Sequence, residues 1–334
     1  MSSALRIGVV GAGAIAQVAH LPVLARLKGV EVAGVCDSDL PKAQALAARF
    51  GIRDSFDDIE DLLSYAKPDG VVLCTPNHLH EVHVLTALSA GAHVLCERPL
   101  ALSAAGAEKI LAARQRAGRV VMVGMNHRFR SDVQAVRAFV RGGELGALKM
   151  VRAGWYVFRP SRAGPDWRRR RPESGGGAMF DLGLPLLDLA LWLGGKPEPV
   201  HVTAALSRGD GGVEDSGCAL VVCRGDLSIF VDVSWRHVGD SERFWVDLMG
   251  DKGSASIAPL RVFKEMHGTP MNVTPTGAAE RENAFTTSYR SEWAHFLATM
   301  RGDVEAPDLG EQLVVQRLLA GVYRSAEEGR DVAL

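Results

Sequence analysis

Short, mostly apolar runs alternate with stretches of helical period over the first 124 residues. Ile7 to Val10, Val30 to Val35, Gly70 to Cys74, Ala92 to Cys96 and Val120 to Gly124 read as strands buried on both faces. Between them Pro41 to Phe50, Ile59 to Tyr65, His80 to Ala90 and Ser103 to Ala117 carry the helical pattern, the last opening on a serine N-cap. This alternation predicts a doubly wound parallel sheet. Ligands of such sheets lie at the carboxyl ends of the strands. Thr75, Pro76, Asn77, Glu97, Arg98, Pro99, Asn126 and His127 fall at such ends.

The pattern changes after Asn126. A helix at Val133 to Arg141 leads to a strand near Leu148 to Val157, then to Gly175-Gly176-Gly177 and a helix from Ala178 to Leu193. Three glycines before a helix suit a close approach of backbone to ligand. Beyond residue 200 the period becomes 2. Leu227, Ile229, Val231, Val233 and Trp235 share one face; Ser228, Phe230, Asp232, Ser234 and Arg236 share the other. Gly225-Asp226 and Gly250 to Gly253 mark hairpins. Residues 266 to 288 read as a long loop, and helices at Tyr289 to Met300 and Glu311 to Glu328 close the chain. The expected fold is α/β: an N-terminal Rossmann domain, residues 1–125, and a C-terminal α+β domain with an open, largely antiparallel sheet, residues 126–334. The polar sheet face is either solvated or a wet subunit interface, and the interface is favoured because a sheet face not covered by helices is a natural place to dimerise.

The first strand runs into Gly11-Ala12-Gly13-Ala14-Ile15-Ala16, a glycine fingerprint of the G-x-G-x-x-A form. Gly11 permits the tight turn, Gly13 lets a phosphate approach, and Ala16 lets helix and strand pack closely. N–H groups at the helix start would hold a pyrophosphate. The second strand leads to Asp37, 21 residues after Ala16, where a carboxylate meets the adenine ribose. Asp37 would repel a 2′-phosphate, so NAD is expected over NADP.

Composition narrows the remaining classes. The chain has 334 residues, 47% of them hydrophobic and 23% charged, with a net charge of −1. No global field draws it to nucleic acid or an anionic membrane. The four arginines 168–171 form the densest basic run, and no basic stripe with interleaved aromatics accompanies it. No stretch has the order of a signal peptide, and no uninterrupted apolar run reaches the length of a membrane span. Five scattered cysteines without a C-x-x-C pair point to a reducing compartment, the cytoplasm. No metal-ligand spacing is legible.

The ordered motifs resemble the Gfo/Idh/MocA oxidoreductases, the family of glucose–fructose oxidoreductase and inositol dehydrogenase. They are GVVGAGAIAQVAHLPVL with Asp37, CTPNHLH at 74–80, CERPLALS at 96–103, MNHRF at 125–129, DWRRRRPESGGGAMFDLGLPLLDLALWLGG, YRSEWAHFLATM and SAEEGRDVAL. The resemblance implies NAD(P), hydride transfer at a sugar, polyol or hydroxy-carbonyl carbon, and a homodimer or homotetramer formed through the C-terminal sheet. By position it implies pyrophosphate contacts at Gly11, Gly13, Ala14 and Ile15 and a ribose contact at Asp37. It implies nicotinamide-side contacts at Thr75, Pro76, Asn77, His80, Glu97 and Asn126, and a cofactor or substrate role for Arg168.

Two positions depart from the family pattern. Its E-K-P motif reads Glu97-Arg98-Pro99, and the histidine of its D-x-G-x-H-x-x-D motif has become Pro185, with Asp181 and Asp188 retained. Alcohol oxidation needs a group that accepts a proton as hydride leaves. Arginine keeps its proton and proline has none to move. Arg98 is therefore expected to place fixed positive charge beside a developing alkoxide, or to clamp an anionic group. Asp181 is the proton carrier left in the motif, with Tyr156 and His127 as further candidates. Arg98, Arg128 and Arg168 together suggest an anionic small-molecule substrate. A non-catalytic NAD-binding sensor, or elimination or hydrolysis through a transient keto intermediate, are the alternatives.

Overall fold

The computed structural model describes residues 4–160, 166–209, 212–275 and 283–334. The chain forms two compact units that are not sequential. The first comprises Met1–Phe129 with Glu282–Leu313, and the second Arg130–Arg281 with Val314–Leu334.

The first unit is built on a six-stranded parallel sheet of order β3-β2-β1-β4-β5-β6. Its strands are β1 (Leu5–Val10), β2 (Val30–Cys36), β3 (Ser55–Phe56), β4 (Gly70–Leu73), β5 (His93–Glu97) and β6 (Val121–Gly124). Ile7, Val9, Val71, Val72, Leu73, Val94, Leu95 and Cys96 are all wholly buried, as helices on both faces require. Strand order reverses between β1 and β4, which makes their carboxyl ends the switch point where doubly wound sheets bind ligands.

The helix Ala284–Arg301 belongs to this unit. The sequence reading cut the chain once, after residue 125, and began this helix at Tyr289. It starts five residues earlier because the Asn283 side chain accepts the Phe285 N–H at 2.7 Å, an N-cap. Tyr289, Trp293 and Phe296 fall at i, i+4 and i+7 and join the core with Val9, Ala16, Leu21, Val72 and Leu95.

The second unit carries a nine-stranded sheet of order β14-β13-β12-β11-β7-β10-β9-β8-β15. Its strands are β7 (Leu148–Tyr156), β8 (Pro199–Arg208), β9 (Glu214–Cys223), β10 (Ser228–Ser234), β11 (Arg243–Gly250), β12 (Gly253–Ile257), β13 (Arg261–Met266), β14 (Thr269–Asn272) and β15 (Val332–Ala333). Among the described residues of this sheet, only β7 and β10 pair in parallel. Alternation along β10 is as the sequence predicts: Ile229, Val231 and Val233 are buried while Ser228, Phe230, Asp232 and Ser234 are half-buried. Gly225 (φ 84°) and Asp226 (φ 65°) lie in the three-residue loop between β9 and β10, which the Cys223 N–H closes on the Leu227 carbonyl at 2.9 Å.

The expected loop at 266–288 opens with a hairpin turn and strand and ends in the first residues of the helix Ala284–Arg301. His267 (φ 53°) and Gly268 (φ 77°) turn β13 into β14, and residues 276–282 lie outside the described part. Among the described residues one helical stretch, Arg171–Leu193, is long and apolar enough to cross a bilayer; 89% of its apolar window is buried inside the fold, against β7 and β10.

Trp293 is wholly buried and stacks edge-on to Phe296 at 5.7 Å. Trp293→Ala is expected to cost about 3–5 kcal/mol, and Trp293→Phe clearly less. Urea denaturation checks this as a lower midpoint at unchanged slope.

Candidate active site

β1 ends in a turn whose two glycines do different work. Gly11 has φ +95°, and a Cβ there would stand 2.7 Å from the Cys74 carbonyl group. Its N–H donates to the Cys36 carbonyl at 2.7 Å. The fold itself needs this glycine. A Cβ on Gly13 would meet nothing closer than the Cys74 oxygen at 3.9 Å. Gly13 therefore leaves a cradle open above the turn. Ala14 is exposed at the start of the following helix, and Ile15 packs on the core.

Asp37 closes the cradle's far side. Its Oδ2 accepts the Ala12 N–H at 2.7 Å and the Lys42 ammonium at 2.9 Å, and its Oδ1 accepts the Asp39 N–H at 3.1 Å. Burial alone would raise this carboxyl; the Lys42 and backbone donors outweigh it and hold Asp37 below its usual range. Lys42 was not singled out in the sequence, although it stands in the first turn of the helix that follows Asp37. An open glycine cradle beside an ionised carboxylate fits a dinucleotide, with phosphates at residues 11–15 and the ribose at Asp37.

The floor lies at the carboxyl ends of β4 and β5. Glu97 is 9% exposed. Its Oε1 meets His20 Nε2 at 2.9 Å and accepts the Tyr289 hydroxyl at 3.3 Å. Trp293 Nε1 donates to His20 Nδ1 at 3.0 Å. An indole only donates, so Nδ1 is an acceptor and the imidazole proton sits on Nε2, facing Glu97. Burial would raise Glu97, but the His20 hydrogen bond and the Arg98 guanidinium prevail and lower it. Arg98 itself is half-buried.

Thr75, Pro76 and Asn77 line the end of β4 and are half-buried. The Thr75 hydroxyl meets His83 Nδ1 at 3.2 Å. Burial, and then His80 nearby, push the His83 imidazole down to about 4. His80 corrects the sequence reading. It is 1% exposed, and its two nitrogens face the Pro99 carbonyl at 2.6 Å and the Thr75 carbonyl at 2.9 Å. It braces the 75–77 loop to the 97–99 loop from beneath and has no edge left for a ligand. Burial lowers its pKa against the pull of both carbonyls. Asn126 donates to the Ser288 hydroxyl at 3.1 Å, and His127 is buried beside it. Arg128 is spent on Glu311, at 2.7 Å, which removes it from the set of arginines expected to meet an anion.

In the second unit the helical turn Met179–Gly183 presents Asp181. Its Oδ2 accepts Trp235 Nε1 at 3.1 Å and pairs with the Arg159 guanidinium at 2.8 Å. The helix start is held by Glu214, whose Oε1 accepts the Gly177 N–H at 2.8 Å, the Met179 N–H at 3.0 Å and the Tyr323 hydroxyl at 2.6 Å. This explains two of the three glycines, which had suggested a backbone approach to ligand. A Cβ on Gly176 would fall 1.9 Å from the Tyr323 hydroxyl, and one on Gly177 1.8 Å from the Glu214 carbonyl oxygen. They make room for protein atoms. Arg168 lies over the Trp167 ring at 4.5 Å and within 3.8 Å of Asp166.

Tyr156 does not join Asp181. Trp235 continues the buried face of β10, whereas Tyr156 pairs in register with Ser234 on the opposite face. There it stacks on Trp245 at 4.9 Å and hydrogen-bonds Asp232. Burial, then Asp232, push its phenol up to about 12, so it keeps its proton at neutral pH. Tyr156 is withdrawn as a proton carrier. Among the described residues no cluster of His, Cys, Asp and Glu could hold a metal ion.

The two cradle glycines separate folding from binding. Gly13→Ala is expected to melt within a few degrees of the wild type yet lose dinucleotide binding by about tenfold or more, because its methyl enters the phosphate space. Gly11→Ala should lower the melting temperature itself. Thermal melts and NADH fluorescence titrations report the two effects.

Residues 5–125 match the oxidoreductase family with an NAD-binding Rossmann fold, and residues 133–256 match the GFO/IDH/MocA C-terminal domain. The chain is 30% identical over 360 aligned residues to D-glucoside 3-dehydrogenase of Escherichia coli K12, covering 100% of this chain and 98% of that protein. The crystal structure of GenD2 from gentamicin A biosynthesis, in complex with NAD, is 27% identical and superposes with a TM-score of 0.87, covering 100% of this chain and 97% of that one. Aldose-aldose oxidoreductase from Caulobacter crescentus is 25% identical at a TM-score of 0.84, with 99% of each chain covered. The chain therefore belongs to the GFO/IDH/MocA family of NAD(P)-dependent oxidoreductases.

Proposed function

We infer that this protein transfers a hydride between NAD and a carbinol carbon of a sugar or sugar-like substrate. The observation that carries this reading is the open cradle at Gly13 closed by the ionised Asp37, in a chain similar end to end to a glucoside dehydrogenase. When bound, the nicotinamide supplies the hydride acceptor or donor. The chain's own residues do the rest. Gly13 and the helix start hold the phosphates, and Asp37 holds the ribose. NAD is favoured over NADP because a 2′-phosphate would meet the Asp37 carboxylate, an effect that Lys42 softens without cancelling.

Arg98 places a fixed positive charge where an alkoxide develops, and this stabilises it by electrostatics. Asp181 accepts the hydroxyl proton: Trp235 and Arg159 both bind its Oδ2 and orient the carboxylate. Thr75, Pro76, Asn77, Glu97 and Asn126 line the nicotinamide side, and Arg168 meets substrate or cofactor. With Arg128 paired to Glu311, an anionic substrate would be read by Arg98 and Arg168. The open sheet face is the contact between copies of the chain, along a row in which Met150 and Met249 are adjacent in register and Val222 follows beyond Ser228. All three are more than a third exposed.

Absorbance at 340 nm with NAD and a panel of glucosides, aldoses, inositols and their acids tests the reading. Turnover is expected on at least one sugar. Tight NAD binding with no turnover on any of them would contradict it. Asp181→Asn should lower kcat by about 10²–10⁴ with little change in NAD affinity. Asp37→Ser should weaken NAD about tenfold, the worth of one to two hydrogen bonds, and narrow the gap to NADP.

A further inference from the structure

Glu292 is wholly buried in the helix Ala284–Arg301. Neither of its carboxyl oxygens has a hydrogen-bond partner among the described residues. A buried carboxyl without donors is costly as an anion. The helix places it one step from Trp293, which donates to His20, and three from Tyr289, which donates to Glu97. It therefore lies on the stripe that packs under the ends of β4 and β5, where Glu97 already holds a negative charge.

Glu97 from the end of β5 and Cys74 from the end of β4 share its field directly, and Arg98, His20 and Cys96 act on that pair beside it. His127 and Arg128 come from the turn Asn126–Phe129, and Arg128 is taken up by Glu311. Tyr289 is the neighbour on its own helix. Of the two cations, Arg98 acts on Glu97 and the other is paired elsewhere. Burial first, then the Glu97 charge, hold Glu292 well above the usual carboxylate range.

We propose that Glu292 is a proton-linked counter-charge for the oxidised nicotinamide: protonated in the free protein, it gives its proton to solvent when the cationic ring binds. The inference rests on the cofactor reading above. The balance is simple. Binding NAD⁺ brings one positive charge to the floor and releases one H⁺ from Glu292. Binding NADH brings no ring charge and releases none. Once substrate oxidation has removed the ring charge, Asp181 holds the hydroxyl proton and Glu292 regains its own proton from solvent. Glu292 acts through the charge of the floor, as a positioning residue.

Calorimetric titration of the whole protein with NAD⁺ and with NADH, in buffers of different ionisation enthalpy, counts the protons. The expected result is close to one proton released with NAD⁺ and none with NADH. In parallel the NAD⁺ Kd should tighten by up to about tenfold per pH unit, the slope of one linked proton. Glu292→Gln keeps the shape of the neutral acid and should bind both forms with no proton release. Stability against pH gives a second readout. A carboxyl raised on folding makes the native state bind more protons than the unfolded state above the ordinary glutamate pKa, so stability falls as pH rises. The stability advantage of Glu292→Gln over wild type should therefore grow with pH. Equal proton counts for NAD⁺ and NADH, or a stability gap independent of pH, would overturn the proposal while leaving the cofactor reading intact. Failure of either dinucleotide to bind would sink both. If Glu292→Gln does not fold, the wild-type proton counts decide alone.

Discussion

The first unit depends on one hydrogen-bonded chain, Trp293 to His20 to Glu97. It puts an ionised carboxylate in the protein interior at the end of a central strand. Such a group stays charged only if fixed donors face it. The indole fixes the imidazole tautomer, and the imidazole then presents its N–H to the carboxylate. Tyr289 adds a second donor. These donors come from residues 20, 289 and 293, which explains why a helix so late in the sequence completes the core of a sheet built from the first 124 residues.

The second unit repeats the principle around Asp181 and Glu214. Glu214 caps the glycine-rich helix start, and Asp181 is tethered by an indole and a guanidinium. In both units an acidic side chain is oriented by tryptophan N–H chemistry, directly at Asp181 and through a histidine at Glu97. At the positions of the family's lysine and histidine this chain carries Arg98 and Pro185, so the proposed chemistry relies on fixed charge and on oriented carboxylates.

Much of this was legible in the sequence. The strand runs, the glycine fingerprint, Asp37 and the period-2 face of β10 each follow from local pattern, because burial on two faces or one leaves a direct imprint on residue type. What stayed hidden depended on contacts distant in sequence. His80 looked like a ligand contact until two carbonyls claimed its nitrogens. Gly176 and Gly177 looked like room for a ligand and are room for Tyr323 and Glu214. Tyr156 looked like a further candidate proton carrier, although its register places it on the opposite sheet face from Trp235 and Asp181. His20, Glu292 and Trp293 lie inside the quoted motifs, but what each one touches depends on residues far away in sequence. Asn283, by contrast, was a readable cap before the last helix pair, and it went unused.

The claim beneath all of this is that the buried carboxylate of Glu97 forms the floor under the nicotinamide. A crystal structure with NAD⁺ bound tests it most directly. The account predicts the nicotinamide ring within about 4 Å of the Glu97-Arg98 segment, in van der Waals contact, with the Trp293–His20–Glu97 chain intact. A ring resting elsewhere, with water over Glu97, would contradict it.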